Sequence, residues 1–156
     1  MGRQCRIVEA TMYKRILIPT DGSEASQRAI LAGAAFARDV GAEIVGLTVT
    51  PEFHVLSTDS EMLEDTPDEF AARSAARAGR ILGDVDSAAR DAGVACRSEH
   101  AVGDDPYEAI IGAAQRFGCD LILMASHGRR GLKGFLLGSE TQKVLVHSTL
   151  PVLVHR

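Results

Sequence analysis

The sequence predicts an α/β fold, a doubly wound five-stranded parallel sheet of order 3-2-1-4-5 with helices on both faces (Rossmann-like). Two observations carry the parallel, doubly wound sheet, and the strand order is taken with it. Short strand-like runs at residues 15–19, 43–49, 94–102, 121–125 and 151–154 alternate with longer segments of helical period, and such alternation builds parallel sheets through right-handed crossovers. Three of the helical segments stop at a glycine, Gly41, Gly93 and Gly118, each a few residues before the next strand, the usual chemistry of a helix C-terminus. In a sheet of this order the winding reverses between the first and fourth strands, and ligands bind outside the carboxyl ends of the strands at that reversal.

Each element has its own signal. Arg15-Ile16-Leu17-Ile18-Pro19 is a buried strand closed by the turn formers Thr20-Asp21-Gly22-Ser23. Ala29, Gly33, Phe36 and Val40 share one face of the helix that follows, with Asp21 or Ser23 as its cap. Residues 50–65 lack periodicity and are acidic, a solvated connector or a lid. Thr66-Pro67-Asp68-Glu69 is a helix start with a capping box, and Ala75, Ala78, Leu82, Val85, Ala89 and Ala92 mark the apolar face down to Gly93. Asp105-Pro106-Tyr107-Glu108 repeats the capping logic, with Ile110, Ala113 or Ala114, and Phe117 on the inner face. Residues 121–125 are apolar at every position, as a central strand covered on both sides requires.

Composition narrows the functional classes. A chain of 156 residues buries roughly two thirds of its unfolded surface in a single core. No apolar run reaches the ~18 residues of a membrane span, and a formal net charge of −4 argues against generic nucleic-acid binding. Cys5, Cys96 and Cys119 are odd in number and contain no CxxC pair, so neither a disulfide framework nor a zinc site is indicated and a reducing cytoplasm fits. Cys96 and Cys119 read as small buried hydrophobes. Residues 1–11 are read as an N-terminal extension, and 12–156 as one domain.

Residues 125–139, Ala-Ser-His-Gly-Arg-Arg-Gly-Leu-Lys-Gly-Phe-Leu-Leu-Gly-Ser, carry three basic side chains among four glycines and lead from the fourth strand to a serine at a helix start. That is the chemistry of a phosphate cradle, since glycines admit an anion close to the backbone and helix-start amides are unpaired donors. The loop is neither a Walker A sequence nor GxGxxG. A surface loop ending in a capping serine is the plain alternative.

Pro19-Thr20-Asp21-Gly22-Ser23, together with Ser126-His127-Gly128, nine further residues and Gly138-Ser139, resembles the universal stress protein family. The likeness runs from about Tyr13 through the closing Pro151-Val152-Leu153-Val154. It implies a small α/β domain that binds ATP (or AMP or ADP), usually a homodimer, made when cells are stressed. It further implies Asp21 on the ribose or Mg²⁺ side, Val49 at the adenine through its backbone, and Met124 and Ala125 beneath the nucleoside. Gly128, Gly138, Ser139, Glu140 and Thr141 would surround the phosphates, with Pro19, Thr20, His127 and Arg129 completing the site. The nucleotide-binding branch of the family carries Gly-x-x-Gly, nine residues, then Gly-Ser or Gly-Thr; here the first glycine is Ala125. Alanine costs little where φ is negative and obstructs where φ must be positive or where a ribose packs on the backbone.

Several side chains keep two readings. Asp21 either serves a ribose hydroxyl or Mg²⁺ through water, or caps the first helix; His127 is a general acid, a phosphate contact, or a turn histidine satisfied by backbone. Arg129, Arg130 and Lys133 either meet phosphates or are solvated. No nucleophile, base and orienter are spaced as a catalytic set, which limits expected chemistry to slow ATP hydrolysis. The last strand, Val152, Leu153 and Val154, lies at the sheet edge, where antiparallel pairing with a second copy satisfies a two-fold axis and predicts a homodimer. A nucleotide-free dimeric interaction module is the alternative, motivated by Ala125 and this apolar edge.

Overall fold

A computed structural model describes residues 12–55, 66–128 and 137–156. In chain order the elements are β1 (Arg15–Pro19), α1 (Glu24–Val40), β2 (Glu43–Thr50), α2 (Pro67–Ala92), β3 (Cys96–Val102), α3 (Pro106–Arg116), β4 (Leu121–Ala125), α4 (Ser139–His147) and β5 (Val152–His155). The five strands form one sheet of order β3-β2-β1-β4-β5, the order expected, and every pair is parallel, as the alternation predicts.

Side-chain alternation along each strand feeds two cores. Ile16 and Ile18 of β1, Ile44 of β2, and Leu121 and Leu123 of β4 pack beneath α1 and α2 against Ala29, Ala34, Ala37, Val85 and Ala89. Leu17, Val45, Leu47, Ile122 and Met124 point the other way and meet Ile110, Ala113 and Ala114 of α3 and Val144 of α4. Burial on both faces explains why β4 is apolar throughout. Among the described residues β3 pairs only with β2, and it is only partly buried, so it carries charge and gives a weak signal. Gly33 sets the approach of α1: a Cβ there would lie 2.6 Å from Ile18 Cδ1.

Helix ends explain most of the boundaries. Ser23, not Asp21, is the N-cap of α1, accepting from Ser26 N–H. Thr66 and Glu69 form the predicted capping box on α2. Gly41 and Gly93 are left-handed C-caps. After Gly93, Val94 N–H returns to the Ala89 carbonyl at 2.9 Å, so the residue expected to open β3 closes α2 instead and the strand starts at Cys96.

Three expectations need correction. Asp105 occupies the N-cap of α3 but its side chain makes no capping bond, its ψ of 87° lying away from the usual cap geometry. The N-cap of α4 is Gly138, so Ser139 is the first helical residue rather than a capping serine. Ala75 is exposed, and the buried face of α2 runs through Phe70, Ala78, Leu82, Val85, Ala88 and Ala89. Among the described residues no helix is long and apolar enough to cross a membrane. Residues 1–11, most of the acidic connector (56–65), and 129–136 with Arg129, Arg130 and Lys133, lie outside the described residues.

Candidate functional site

The loops after β1 and β4 converge at the switch point. Thr20 N–H donates to the Leu47 carbonyl of β2 at 2.8 Å, and Gly22, at φ 77°, turns the chain into α1. Thr20 and Ser26 are buried and their hydroxyls meet at 3.1 Å. Asp21 stands on this base: its Oδ1 accepts from Ser23 N–H at 3.0 Å and from Ser26 Oγ at 2.9 Å. The carboxylate is therefore aimed by the first turn of α1 without capping it.

Across the switch point, Gly128 lies directly against Asp21 Oδ2, in the space where any other residue would place its Cβ. Gly138 N–H donates to the Ser126 carbonyl at 2.7 Å, and a Cβ on Gly138 would sit 3.1 Å from His127 Cα. Gly138 is thus drawn back to Ser126 and His127, next to the Gly128 that meets Asp21. At neither glycine is φ positive; proximity, not dihedral freedom, crowds a side chain there, against the Asp21 carboxylate tip at Gly128 and against the His127 backbone at Gly138.

The remaining residues divide by direction. Ala125 lies in β4, opposite His155 of β5, and its methyl is buried in the core with Ile18, Ala25 and Ala29. Its φ is not positive, so the alanine that replaces a glycine of the family pattern strains nothing. Pro19 and Met124 are buried, Met124 on the opposite face of the sheet. Val49 is half-buried beside Ala101, at the carboxyl end of β2. His127 pairs through Nδ1 with the Ser126 hydroxyl at 3.0 Å, a side-chain partner where backbone was expected.

The first turn of α4 presents mainly Ser139, which is exposed. Thr141 is buried and its hydroxyl donates to the Ala125 carbonyl at 3.0 Å. The Glu140 carboxylate accepts from Tyr107 N–H and from Lys143 Nζ, both at 3.0 Å. Backbone donors are also gathered here, because Gln142 is the first residue of α4 whose N–H bonds within the helix, to Gly138 O at 3.0 Å. Sequence reasoning missed Ser26 as the support of Asp21. Its spacing of three from Ser23 is a capping signal, but nothing local shows that its hydroxyl reaches back to Asp21.

No described cluster of three or more His, Cys, Asp or Glu is arranged to hold a metal. Burial, joined by Asp86 at Cys96, pushes the thiols of Cys96 and Cys119 up to about 11, so both stay protonated and unreactive at neutral pH. A hollow of about 420 Å³ lined by Arg15, Arg97, Arg116 and Phe117 opens near the amino ends of the strands. Two of its guanidiniums are already committed, Arg15 to Glu43 and the Phe117 carbonyl, and Arg116 to Glu99. The chemistry converges at the opposite edge.

A five-stranded parallel sheet with an aspartate after β1, facing a glycine-closed loop that leads into α4, defines a switch-point α/β domain. Residues 12–156 match the model of the universal stress protein family, and the chain belongs to that family. Universal stress protein MJ0577 of Methanocaldococcus jannaschii is 31% identical over 156 aligned residues, covering 93% of this chain and 96% of its own. Universal stress protein YxiE of Bacillus subtilis is 32% identical over 149, covering 93% and 100%. The solved structure of MJ0577 aligns with a TM-score of 0.77 at 34% identity, over 92% of this chain and 95% of that one. An Archaeoglobus fulgidus universal stress protein, solved in complex with dAMP, shares the fold with a TM-score of 0.65 at 19% identity, over 92% and 98%.

Proposed function

We propose that this chain is a stress-response protein that binds an adenine nucleotide, ATP, at the switch point and, as a homodimer, alters its affinity for a partner with nucleotide state. The observation that carries the reading is the contact of Asp21 with Gly128 at the carboxyl edge of β1 and β4, where Gly138 folds back onto Ser126 and His127. An acceptor for a ribose hydroxyl thereby stands beside a helix start whose amides favour an anion. The nucleoside would lie over Ala125 and Met124 with its base toward the Val49 backbone, and the phosphates over Gly128, Gly138 and Ser139. Ala125 does not obstruct this arrangement, since its methyl points into the core. The motive for a nucleotide-free module is correspondingly weaker.

Among the described residues, Asp21 is the one carboxylate aimed into this space from the loop after β1. That donor set fits Mg²⁺ carried mainly on phosphates and water rather than in a protein cage. Chromatography of nucleotide released by denaturing freshly purified protein is expected to recover an adenine nucleotide, and calorimetry on stripped protein in Mg²⁺ to record ATP binding. Protein that carries no nucleotide and gives no heat with ATP returns the function to the interaction module.

A further inference from the structure

α3 begins without a side-chain cap of its own. Asp105 holds the N-cap position but makes no capping bond, although the start of a helix leaves several N–H groups unsatisfied and attracts negative charge. Glu140 of α4, 33 residues away in sequence, fills that role for Tyr107 N–H at 3.0 Å. The carboxylate's other oxygen is paired with Lys143 Nζ at 3.0 Å, and this ammonium lies 5.2 Å from the centre of the Tyr107 ring. A charge-assisted bond of this kind is directional, so it fixes where the first turn of α4 stands relative to α3.

The same turn is tied a second time. Thr141 donates to the Ala125 carbonyl at the end of β4, and Gly138 N–H donates to the Ser126 carbonyl. Glu140 and Thr141 thus point toward α3 and β4 respectively, which leaves Ser139 and the helix-start amides directed outward. Holding Glu140 against α3 also keeps a negative charge out of the space an anion would enter.

We infer that Glu140 is a positioning residue for the phosphate end of the site: by capping α3 from α4, it sets the orientation of the helix-start donors toward a phosphate. The inference rests on the nucleotide reading above and assigns Glu140 a role behind the ligand rather than on it. Its consequence is selective. Loss of the cap should weaken ligands that carry phosphates and spare the nucleoside, because Asp21 and Val49 are held by other elements.

Calorimetry with ATP and with adenosine on the wild-type chain, Glu140→Ala and Glu140→Gln separates the outcomes. Glu140→Ala is expected to weaken ATP by about fivefold or more, as loss of a charge-assisted tie implies, while adenosine stays within about twofold. Glu140→Gln, whose amide oxygen can still accept from Tyr107, is expected to recover most of the ATP affinity. Amide exchange at Tyr107 without nucleotide reads the cap itself, faster in Glu140→Ala than in wild type. Unchanged Tyr107 exchange, unchanged ATP binding, or equal weakening of ATP and adenosine overturns the inference. Wild-type protein that binds neither ligand, yet shows the exchange difference, removes the nucleotide reading and leaves Glu140 a purely structural cap.

Discussion

At Gly138 the space for a side chain is tight. A Cβ would approach His127 Cα to 3.1 Å and the Ser126 carbonyl oxygen to 3.4 Å, and both are backbone, which yields less readily than a side-chain tip. Gly138→Ala is therefore expected to cost about 1–2 kcal/mol through overpacking, read as a lowered denaturant midpoint, and to weaken nucleotide binding by spreading the loop ends. An unchanged midpoint would show that the loop absorbs the methyl. Gly138 and Gly128 were legible in the sequence as members of a phosphate-type loop, but the reason for each glycine was not. At Gly128 it is the Asp21 carboxylate, more than a hundred residues earlier in the chain. Ala125 makes the complementary point: as a departure from the family pattern its sequence alone left its backbone conformation open, and the structure places it in β4 without a positive φ and with its methyl in the core.

Among the elements, α2 has the best-defined beginning. Thr66 Oγ1 accepts from Glu69 N–H at 3.3 Å while the Glu69 carboxylate accepts from Thr66 N–H at 2.9 Å and from its hydroxyl at 2.8 Å. These two bonds from Thr66, backbone first, hold the Glu69 carboxyl below the usual carboxylate range. A carboxyl with a depressed folded pKa contributes stability above its unfolded pKa and loses it as pH falls through the folded value. Thr66→Ala is accordingly expected to destabilise by about 1 kcal/mol near neutral pH, with the difference from wild type shrinking in acid as Glu69 protonates in both. A pH-independent difference in thermal or urea unfolding would argue that the box contributes only through the Thr66 hydroxyl. This cap was readable because donor and acceptor lie three residues apart. The cap of α3 was not, because the expected acceptor was Asp105 and the one used is Glu140, from another helix.

For the whole molecule, the open edge of the sheet is where we propose that a second copy pairs. Among the described residues β5 pairs with β4 alone, Leu153 is 36% exposed, and Leu145 and Val146 of the neighbouring α4 are exposed as well. An apolar edge strand is a template for pairing, and two identical edges meet antiparallel about a two-fold axis. Leu153→Lys is expected to convert a wild-type dimer to monomer by light scattering, and a dimer mass kept by the variant would move the interface elsewhere. What the sequence by itself determined is the order and kind of the elements, their parallel pairing, most helix ends and, with the expected strand order, the neighbourhood of the switch point. Those follow from periodicity, capping and connection rules that act over a few residues or along a single crossover. Only the tertiary structure decided which atoms meet there: Ser26 beneath Asp21, Asp21 against Gly128, Thr141 on the Ala125 carbonyl and Glu140 on α3. Such contacts join residues distant in sequence, and their geometry exists only once the two layers of helices have closed on the sheet.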